Sequence, residues 1–334
     1  MTLSAQTNTT IAEIARVIRE HDSFVLCGHV SPDGDCVGSQ LALMHTLEAL
    51  GKDVTCLLVR DEPLPADISF LPGAERMVPA CHFEGKPQVF MGLDVPTRER
   101  VGEDACVILD RCKTSVTIDH HAVETTMCDL VYVDPDSASA SMLVWELVKE
   151  LCDVPPANSV LCAYTGLLTD TGGFRYQNSD ANAFRAAAEL VEAGADASYA
   201  AMMAFGSRTL ASLKLESLVL DRMQVFAGGA ATLSFLREGD FESFGAAKSD
   251  AEPMVDAVRK LAGARVVCML REQDGVVRGS LRAKDDTDVA SLARKLDGGG
   301  HRAAAGFTLH CAIDKAVELL RGEISVLLSE NAVQ

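Results

Sequence analysis

Short apolar runs alternate with helical patterns through the first half of the chain, and this alternation restricts the fold more than any other feature. Four runs have the length of strands, at residues 23–28, 54–59, 88–94 and 115–119. Between the first two, residues 39–50 place apolar side chains at helical spacing, and Gly51 follows as a helix end. A strand, a helix and a second strand in this order predict an α/β fold built on a parallel sheet.

The second half is first helical and then mixed. Helical periodicity covers residues 139–151, 157–168, 181–193 and 198–226, with a break near Gly206, and strand patterns return at 230–236, 265–272 and 276–282. Helices are predicted over 288–296 and 313–328. Because 334 residues exceed the size that one core usually organises, we predict three parts. They are an N-terminal parallel-sheet domain at 1–195, a helical connector at 196–224 and a smaller C-terminal α/β domain at 225–334.

Charge and cysteine content restrict the function. The net charge of −18 repels long polyanions, so tracking along a long duplex is not expected. A short anionic substrate stays compatible, because bound cations and a few arginines can reverse the potential inside one cleft.

The eleven cysteines include no Cys-x-x-Cys pair, which argues against a disulfide framework or a zinc site. No apolar run approaches the ~18 residues of a membrane span, and no export signal is evident, so we expect a cytoplasmic protein without membrane contact.

Acidic and histidine residues cluster at the ends of predicted strands, where open parallel sheets bind ligands. The clusters are His29, Asp33 and Asp35 after the first strand, then Asp94, then Asp119-His120-His121, and finally Asp170 at the end of a helical segment. The Pro and Gly of the first cluster predict a loop there.

Each cluster alone has a simpler explanation: Asp33-Gly-Asp35 is typical of a turn, and Asp94 could simply end a strand. Their occurrence together favours convergence on one site. Carboxylates with imidazoles but without thiolates favour Mn²⁺, Mg²⁺ or Fe over a structural zinc. So many carboxylates repel one another unless cations neutralise them, and two divalent ions recur in phosphoester hydrolysis. The residues therefore predict a two-metal site.

These motifs resemble the DHH phosphoesterase superfamily, specifically its branch of nanoRNases and pAp phosphatases. The resemblance covers nearly the whole chain. It rests on His29-Val-Ser-Pro-Asp33-Gly-Asp35-Cys-Val-Gly38-Ser39, Asp94, Asp119-His120-His121, Thr169-Asp170-Thr171-Gly172 and Gly298-Gly-Gly-His301-Arg-Ala-Ala-Ala-Gly306-Phe307. The last motif is similar to the DHH-associated domain, which in the family closes over the cleft and selects a short substrate.

The resemblance implies a role for each site residue. One ion would be held by His29, Asp33 and Asp94, and the other by Asp35, Asp94, His120 and Asp170, so that Asp94 bridges the two. A hydroxide between the ions would be the nucleophile. His121 would contact the scissile phosphate or assist the leaving oxygen, and Asp119 would orient a ligand. Mn²⁺ is the expected ion, with Mg²⁺ or Fe as alternatives.

The C-terminal domain is expected to bind the substrate. Gly299 and Gly300 belong to a three-glycine run whose backbone N–H groups can approach a phosphate, and His301 and Arg302 follow as donors. Arg282 ends a predicted strand and could grip a terminal phosphate with two hydrogen bonds, and Ser280 precedes it. Without the resemblance, the glycine run is equally explained as a loop after a helix, and Arg282 as surface charge.

The resemblance implies a metal-dependent phosphoesterase that converts very short oligoribonucleotides to mononucleotides, 3′-phosphoadenosine 5′-phosphate (pAp) to AMP, or both. Cyclic or linear dinucleotides (c-di-AMP, pApA, pGpG) are the alternative substrates, whereas polyphosphate would require a site richer in Lys and Arg. A non-catalytic nucleotide-binding module is the alternative of a different class. It predicts a missing ligand, and all six ligand positions are filled. A homodimer is compatible with the sequence but is not decided by it.

Overall fold

The computed structural model describes residues 4–123, 127–251 and 253–330, without the side chains of His301 and Glu330. The chain divides into two units, Met1–Ser207 and Arg208–Gln334. Their boundary falls inside the segment predicted as a connector. No helix in the described ranges is long and apolar enough to cross a membrane.

Helices and strands alternate through most of the N-terminal unit. In chain order they are α1 (Ile11–Glu20), β1 (Ser23–Cys27), α2 (Gly34–Ala49), β2 (Asp53–Leu58), β3 (Val78–Pro79), β4 (Val89–Leu93), α3 (Arg98–Val101), α4 (Glu103–Leu109), β5 (Thr114–Asp119), β6 (Leu130–Val133), α5 (Ala140–Leu151), α6 (Ala157–Asp170), α7 (Ala181–Glu192) and α8 (Ala197–Ala201). The six strands form one parallel sheet in the order β3-β2-β1-β4-β5-β6. The predicted α/β fold with a parallel N-terminal sheet is confirmed.

The order of the strands reverses between β1 and β4. The chain proceeds from β1 to β2 on one side of the sheet and from β4 to β5 on the other. Such a switch point leaves a crevice at the carboxyl ends of the two central strands. His29 follows β1 and Asp94 follows β4 directly, so both lie at this crevice.

Helix α2 begins at Gly34, earlier than the predicted start at residue 39. The prediction of a loop through this segment is therefore wrong beyond Asp33. The cause is local, because Asp33 Oδ1 accepts hydrogen bonds from the backbone N–H groups of Asp35 at 3.1 Å and Cys36 at 3.0 Å and so caps the helix. Asp35 consequently lies in the first turn of a buried helix.

Helices α2 and α6 approach each other closely at glycines. A Cβ atom at Gly38 would lie only 2.6 Å from the Cys162 carbonyl oxygen and 3.1 Å from the Gly166 nitrogen. Since both atoms belong to the backbone, they cannot move aside as a side chain would. This packing places the start of α2, with Asp35, beside the end of α6, with Asp170.

A mixed sheet forms the C-terminal unit. Its elements are α9 (Leu210–Asp221), β7 (Gln224–Phe226), β8 (Ala231–Leu236), α10 (Glu238–Phe244), α11 (Met254–Arg259), β9 (Val266–Gln273), β10 (Val276–Ala283), α12 (Val289–Lys295), β11 (Gly299–His301), β12 (Ala304–Leu309) and α13 (Ile313–Glu330). The sheet order is β11-β12-β10-β9-β8-β7. Strands β8 and β9 pair in parallel, and the other neighbouring pairs are antiparallel. Helices α12 and α13 pack on one face, and α9 and α11 on the other.

The C-terminal half departs from prediction at several places. Residues 224–226, predicted as the end of a helix, form β7, and α10, α11 and β12 were not predicted. The predicted break near Gly206 coincides with a π-helical turn, Met202–Gly206. The glycine run, for which a loop was considered, forms β11 and pairs with β12. Gly300 permits this pairing, because its φ is +140° and a Cβ there would lie 2.5 Å from the Ala304 carbonyl oxygen.

Gly38→Ala is expected to lower the free energy of unfolding of the N-terminal unit by about 1–3 kcal/mol, because the added methyl must displace the backbone of α6. Urea denaturation measures the change. Gly322→Ala on α13 is the matched control: nothing lies within 4 Å of the added Cβ, so we expect stability to be unchanged or to rise by up to about 1 kcal/mol. Equal losses in the two variants would contradict the close packing of α2 on α6.

Candidate metal centre

The candidate ligands come from separate elements and meet at the crevice between β1 and β4. They are His29 after β1, Asp33 and Asp35 at the start of α2, Asp94 after β4, His120 after β5, and Asp170 at the end of α6. The remaining two residues of the predicted site, Asp119 and His121, lie beside His120. The structure thus brings all eight residues together.

Asp94 occupies the centre of the group. Its Oδ2 lies 3.3 Å from His29 Nε2 and its Oδ1 lies 3.4 Å from His120 Nε2. The side chain is 2% exposed, and Oδ1 accepts no hydrogen bond from the described residues. Its φ of +55° falls in the left-handed region, which Asp tolerates better than most residues and which recurs at functional sites. One carboxylate therefore faces two histidine nitrogens with its two oxygens.

His29 is the centre of the first donor group. Its buried Nε2 lies 3.6 Å from Asp33 Oδ2 and 3.3 Å from Asp94 Oδ2. Asp33 is 60% exposed and divides its oxygens, with Oδ1 capping α2 and Oδ2 facing His29. The Cys36 thiol belongs to the same neighbourhood, since donor atoms of His29, Cys36 and Asp94 lie within 4.8 Å of one another. Sequence analysis did not identify this thiol as a candidate donor.

His120 is the centre of the second donor group. Its Nε2 lies 3.8 Å from Asp35 Oδ2, 3.4 Å from Asp94 Oδ1 and 3.8 Å from Asp170 Oδ2. Its other ring nitrogen, Nδ1, lies 3.2 Å from the Ser137 carbonyl oxygen. A carbonyl can only accept, so this contact places a proton on Nδ1 and leaves Nε2 as the ring nitrogen that faces the carboxylates.

Asp35 is held by the N-terminus of α5. Its Oδ2 accepts a hydrogen bond from the Ala140 N–H at 2.6 Å, and its Oδ1 accepts one from the Ser141 N–H at 2.8 Å. Ser139 caps the same helix through its side chain. A serine before a helical pattern indicates a helix N-terminus, which favours an anion. The start of α5 was therefore predictable from the sequence, but its contact with Asp35 was not.

A hydrogen bond to Asp119 orients the His121 ring. Its Nδ1 lies 2.7 Å from Oδ1 of Asp119, which is 1% exposed and also accepts a hydrogen bond from the His120 N–H at 2.9 Å. The buried carboxylate fixes the ring orientation and places the Nδ1 proton between the two residues. His121 Nδ1 also lies 3.5 Å from Asp94 Oδ1, so the ring borders the donor groups.

Burial and mutual charge shift the pKa values across the site. Burial alone would lower the pKa of His29, but Asp33 and Asp94 raise it to about 10. Burial and the Asp94 carboxylate raise the pKa of Asp35 to about 7, although His120 and Ser141 oppose the shift. For Asp94, burial opposes ionisation, but His120 and His29 hold its pKa well below the usual range. Imidazole and carboxylate donors crowded in this way fit divalent cations of the Mn²⁺ or Mg²⁺ type.

The predicted substrate residues lie on strands β10 and β11 of the second sheet and, for Arg302, in the turn between β11 and β12. Arg282 pairs with Ala304, which pairs with His301, and Ser280 pairs with Gly306, which pairs with Gly299. The His301 side chain lies outside the described part of the chain. Arg302 is exposed and donates from Nε and Nη2 to the Asp286 carbonyl oxygen, at 2.8 and 2.5 Å. The strand pairing thus brings Ser280 and Arg282 close to the glycine run, although the two groups were predicted from separate motifs.

Residues 23–167 match the N-terminal domain of the DHH family, and residues 230–325 match the DHHA1 domain. A relative from Thermus thermophilus, the bifunctional oligoribonuclease and PAP phosphatase NrnA, is 29% identical over 326 residues, covering 94% of each chain. The protein of the same name from Bacillus subtilis is 27% identical and covers 96% of this chain and 99% of its own.

Among solved structures, an exopolyphosphatase-related protein from Bacteroides fragilis matches with a TM-score of 0.88 and 25% identity. The match covers 97% of this chain and 96% of that one. Both the sequence matches and this structural match extend over the two sheets. The chain therefore belongs to the DHH family of phosphoesterases, with a DHH domain followed by a DHHA1 domain.

Proposed function

We propose that this chain is a Mn²⁺-dependent phosphoesterase that hydrolyses very short oligoribonucleotides to mononucleotides, pAp to AMP, or both. The two relatives named for these activities support the proposal. The observation that carries it is the position of Asp94, whose two oxygens lie 3.3 and 3.4 Å from two different histidines. A carboxylate whose two oxygens face two separate donor groups is placed to bridge two cations.

We assign one cation to His29, Asp33 and Asp94, and the other to Asp35, Asp94, His120 and Asp170. Bound divalent cations lower the pKa of water toward neutrality and neutralise charge on the phosphate. The assigned donors are oxygen and imidazole nitrogen, which suits Mn²⁺, with Mg²⁺ and Fe as alternatives.

His121 and Asp119 act on the proton of the leaving group in this proposal. Asp119 holds His121 through Nδ1 and fixes the orientation of the ring. His121 then contacts the scissile phosphate and gives its proton to the leaving oxygen. Ser280, Arg282 and Arg302, with the backbone of Gly299 and Gly300, bind the remaining phosphates, and His301 is assigned the same role.

The test is hydrolysis by chelator-stripped protein with and without added Mn²⁺. The substrates are pAp, an RNA dimer, a long RNA, linear and cyclic dinucleotides, and polyphosphate. Metal-dependent turnover confined to pAp and the shortest RNA is the expected result. Rapid loss of the long RNA would contradict it, preference for a dinucleotide or polyphosphate would reassign the substrate, and bound metal without turnover would identify a binding module.

Mn²⁺ binding is expected to tighten as the pH rises from about 6 to about 8, because the cation displaces protons from the site. Without metal, the pKa of Asp35 is about 7 and that of His29 about 10, so both groups carry protons over much of this range. Each proton displaced lowers the apparent Kd by up to about tenfold per pH unit. Calorimetry in two buffers of different ionisation enthalpy measures both Kd and proton release. A constant Kd without proton release would contradict this assignment.

A further inference from the structure

Arg100 is an arginine of the N-terminal unit that has no role in the function proposed so far. It belongs to the short helix α3, which follows β4 and Asp94. The Val30 N–H donates a hydrogen bond to the Arg100 carbonyl oxygen at 2.8 Å. This bond joins α3 to the segment that carries His29 and Asp33, so Arg100 lies beside the first donor group.

The guanidinium of Arg100 lacks a partner in the folded chain. Arg100 is half-buried, and its Nε is shielded from solvent without a hydrogen-bond partner among the described residues. The side chain also forms no ion pair with them. A buried donor without a partner costs free energy, because it has lost its water and gained no other acceptor. Such a donor indicates an acceptor that the chain itself does not supply.

The acids near α3 are already engaged with other groups. Asp33 caps α2 with its Oδ1 and directs its Oδ2 at His29. Arg98, which precedes Arg100 on the same helix, donates to both oxygens of Asp110 at 2.8 and 2.7 Å. In a chain with 48 acidic and 30 basic residues, an unpaired arginine is therefore best explained by an anion from outside the chain.

The candidate metal centre is most accessible at Asp33. The Asp33 side chain is 60% exposed, whereas those of His29 and Asp94 are 4% and 2% exposed. The next most exposed of the candidate ligands, Asp170, is 28% exposed. An anion that reaches the first donor group thus has its widest access beside Asp33, where Arg100 lies.

A phosphate group matches the donors that a guanidinium offers. The guanidinium is planar and always charged, and its N–H groups suit the oxygens of a phosphate. A phosphate monoester or diester has at least two non-bridging oxygens. One of them can face the donor groups while another accepts hydrogen bonds from Arg100, so the contact displaces no candidate metal ligand.

We propose that Arg100 binds a non-bridging oxygen of the phosphate at the metal centre and fixes the orientation of that phosphate. The proposal rests on the function proposed above, since it concerns the substrate of the same site. It assigns a phosphate contact to the N-terminal unit itself, separate from the contacts assigned to the second sheet.

The test is equilibrium binding of inorganic phosphate, a product of pAp hydrolysis, to the full-length protein loaded with Mn²⁺. Arg100→Ala is expected to raise the Kd about tenfold or more, because a hydrogen bond to a charged group is lost. The content of bound cations should stay the same, since Arg100 is not assigned as a metal ligand. Added ethylguanidinium can occupy the space of the truncated side chain and should restore much of the lost affinity.

Arg98→Ala is the matched control, because Arg98 lies on the same helix but is bound to Asp110. It removes the same side chain from an exposed ion pair, so the Kd for phosphate should not change with or without ethylguanidinium. A merely structural role of Arg100 would give a loss that ethylguanidinium does not reverse.

Such an irreversible loss, an unchanged Kd in Arg100→Ala, or no phosphate binding by the unmodified protein would overturn the Arg100 contact. The proposed function would stand in each of these cases if the unmodified protein still hydrolyses pAp or an RNA dimer with Mn²⁺. If it hydrolyses neither substrate, the proposed function is wrong, and the assignment of Arg100 fails with it.

Discussion

Replacement of Asp94 by Asn is expected to reduce kcat by about 10³-fold or more and to remove at least one bound cation. The reason is geometric, because the two Asp94 oxygens face His29 and His120 from one buried position, and an amide offers only one oxygen. Turnover of pAp or an RNA dimer with saturating Mn²⁺ measures the first effect. Metal analysis after desalting measures the second.

Asp134→Asn is the matched control for this substitution. Asp134 is equally buried and follows β6, two strands away from β4, and its Oδ1 accepts a hydrogen bond from the Asp136 N–H at 3.1 Å. Among the described residues, Asp134 contributes no donor atom to the two groups. Its backbone N–H donates to the Asp119 carbonyl oxygen at 3.1 Å, and the substitution leaves this bond in place, so cation content and kcat should be retained. An Asp94→Asn protein with two cations and normal turnover would show that Asp94 is not a bridging ligand.

The sequence predicted the centre of the first sheet better than its edges. Strands β1, β2, β4 and β5 are continuous apolar runs because helices cover both faces of a parallel sheet. The edge strand β3 has two residues and β6 has four, too few for a periodic pattern. The two strands that carry His29 and Asp94 were therefore predictable, since a switch point uses central strands.

The positions of the candidate ligands were predictable, whereas the orientations of their side chains were not. A histidine or aspartate directly after a buried strand is confined to the carboxyl edge of the sheet, which explains why the position of His29, Asp94 and His120 at this edge could be predicted. The orientation of Asp35 depends on the N–H groups of Ala140 and Ser141, which are more than a hundred residues away in sequence. Periodicity describes one element at a time and carries no information about such contacts.

At the start of α2, the sequence pattern predicted the wrong local structure. Asp33-Gly-Asp35 was interpreted as a turn because these residue types favour turns, yet aspartate is also a preferred N-cap. The structure uses Asp33 in both ways, since Oδ1 caps the helix and Oδ2 faces His29. A capping residue that retains an unused oxygen can thus belong to a metal site without leaving its local structural role.

Asp119→Asn is expected to lower kcat by about 10²- to 10⁴-fold while leaving cation content and KM nearly unchanged. The carboxylate holds His121 Nδ1 at 2.7 Å and fixes the tautomer of the ring. An amide in its place can present an N–H to Nδ1 and reverse that tautomer. The measurements are steady-state kinetics with pAp over a range of pH and metal analysis of the same protein. Loss of a cation in this variant would instead place Asp119 in the support of the metal ligands.

The His121→Asn variant distinguishes two roles for His121, donation of a proton to the leaving oxygen and binding of a metal ion. The second role has structural support, because donor atoms of Asp94, His120 and His121 lie within 4.8 Å of one another. If His121 protonates the leaving oxygen, the variant should keep its cations and recover much of its activity on an ester with a nitrophenolate leaving group, which needs no proton. If His121 is a ligand, a cation is lost and both substrates fail together. Since the Asp119 contact directs Nδ1 away from such a role, we expect the first outcome.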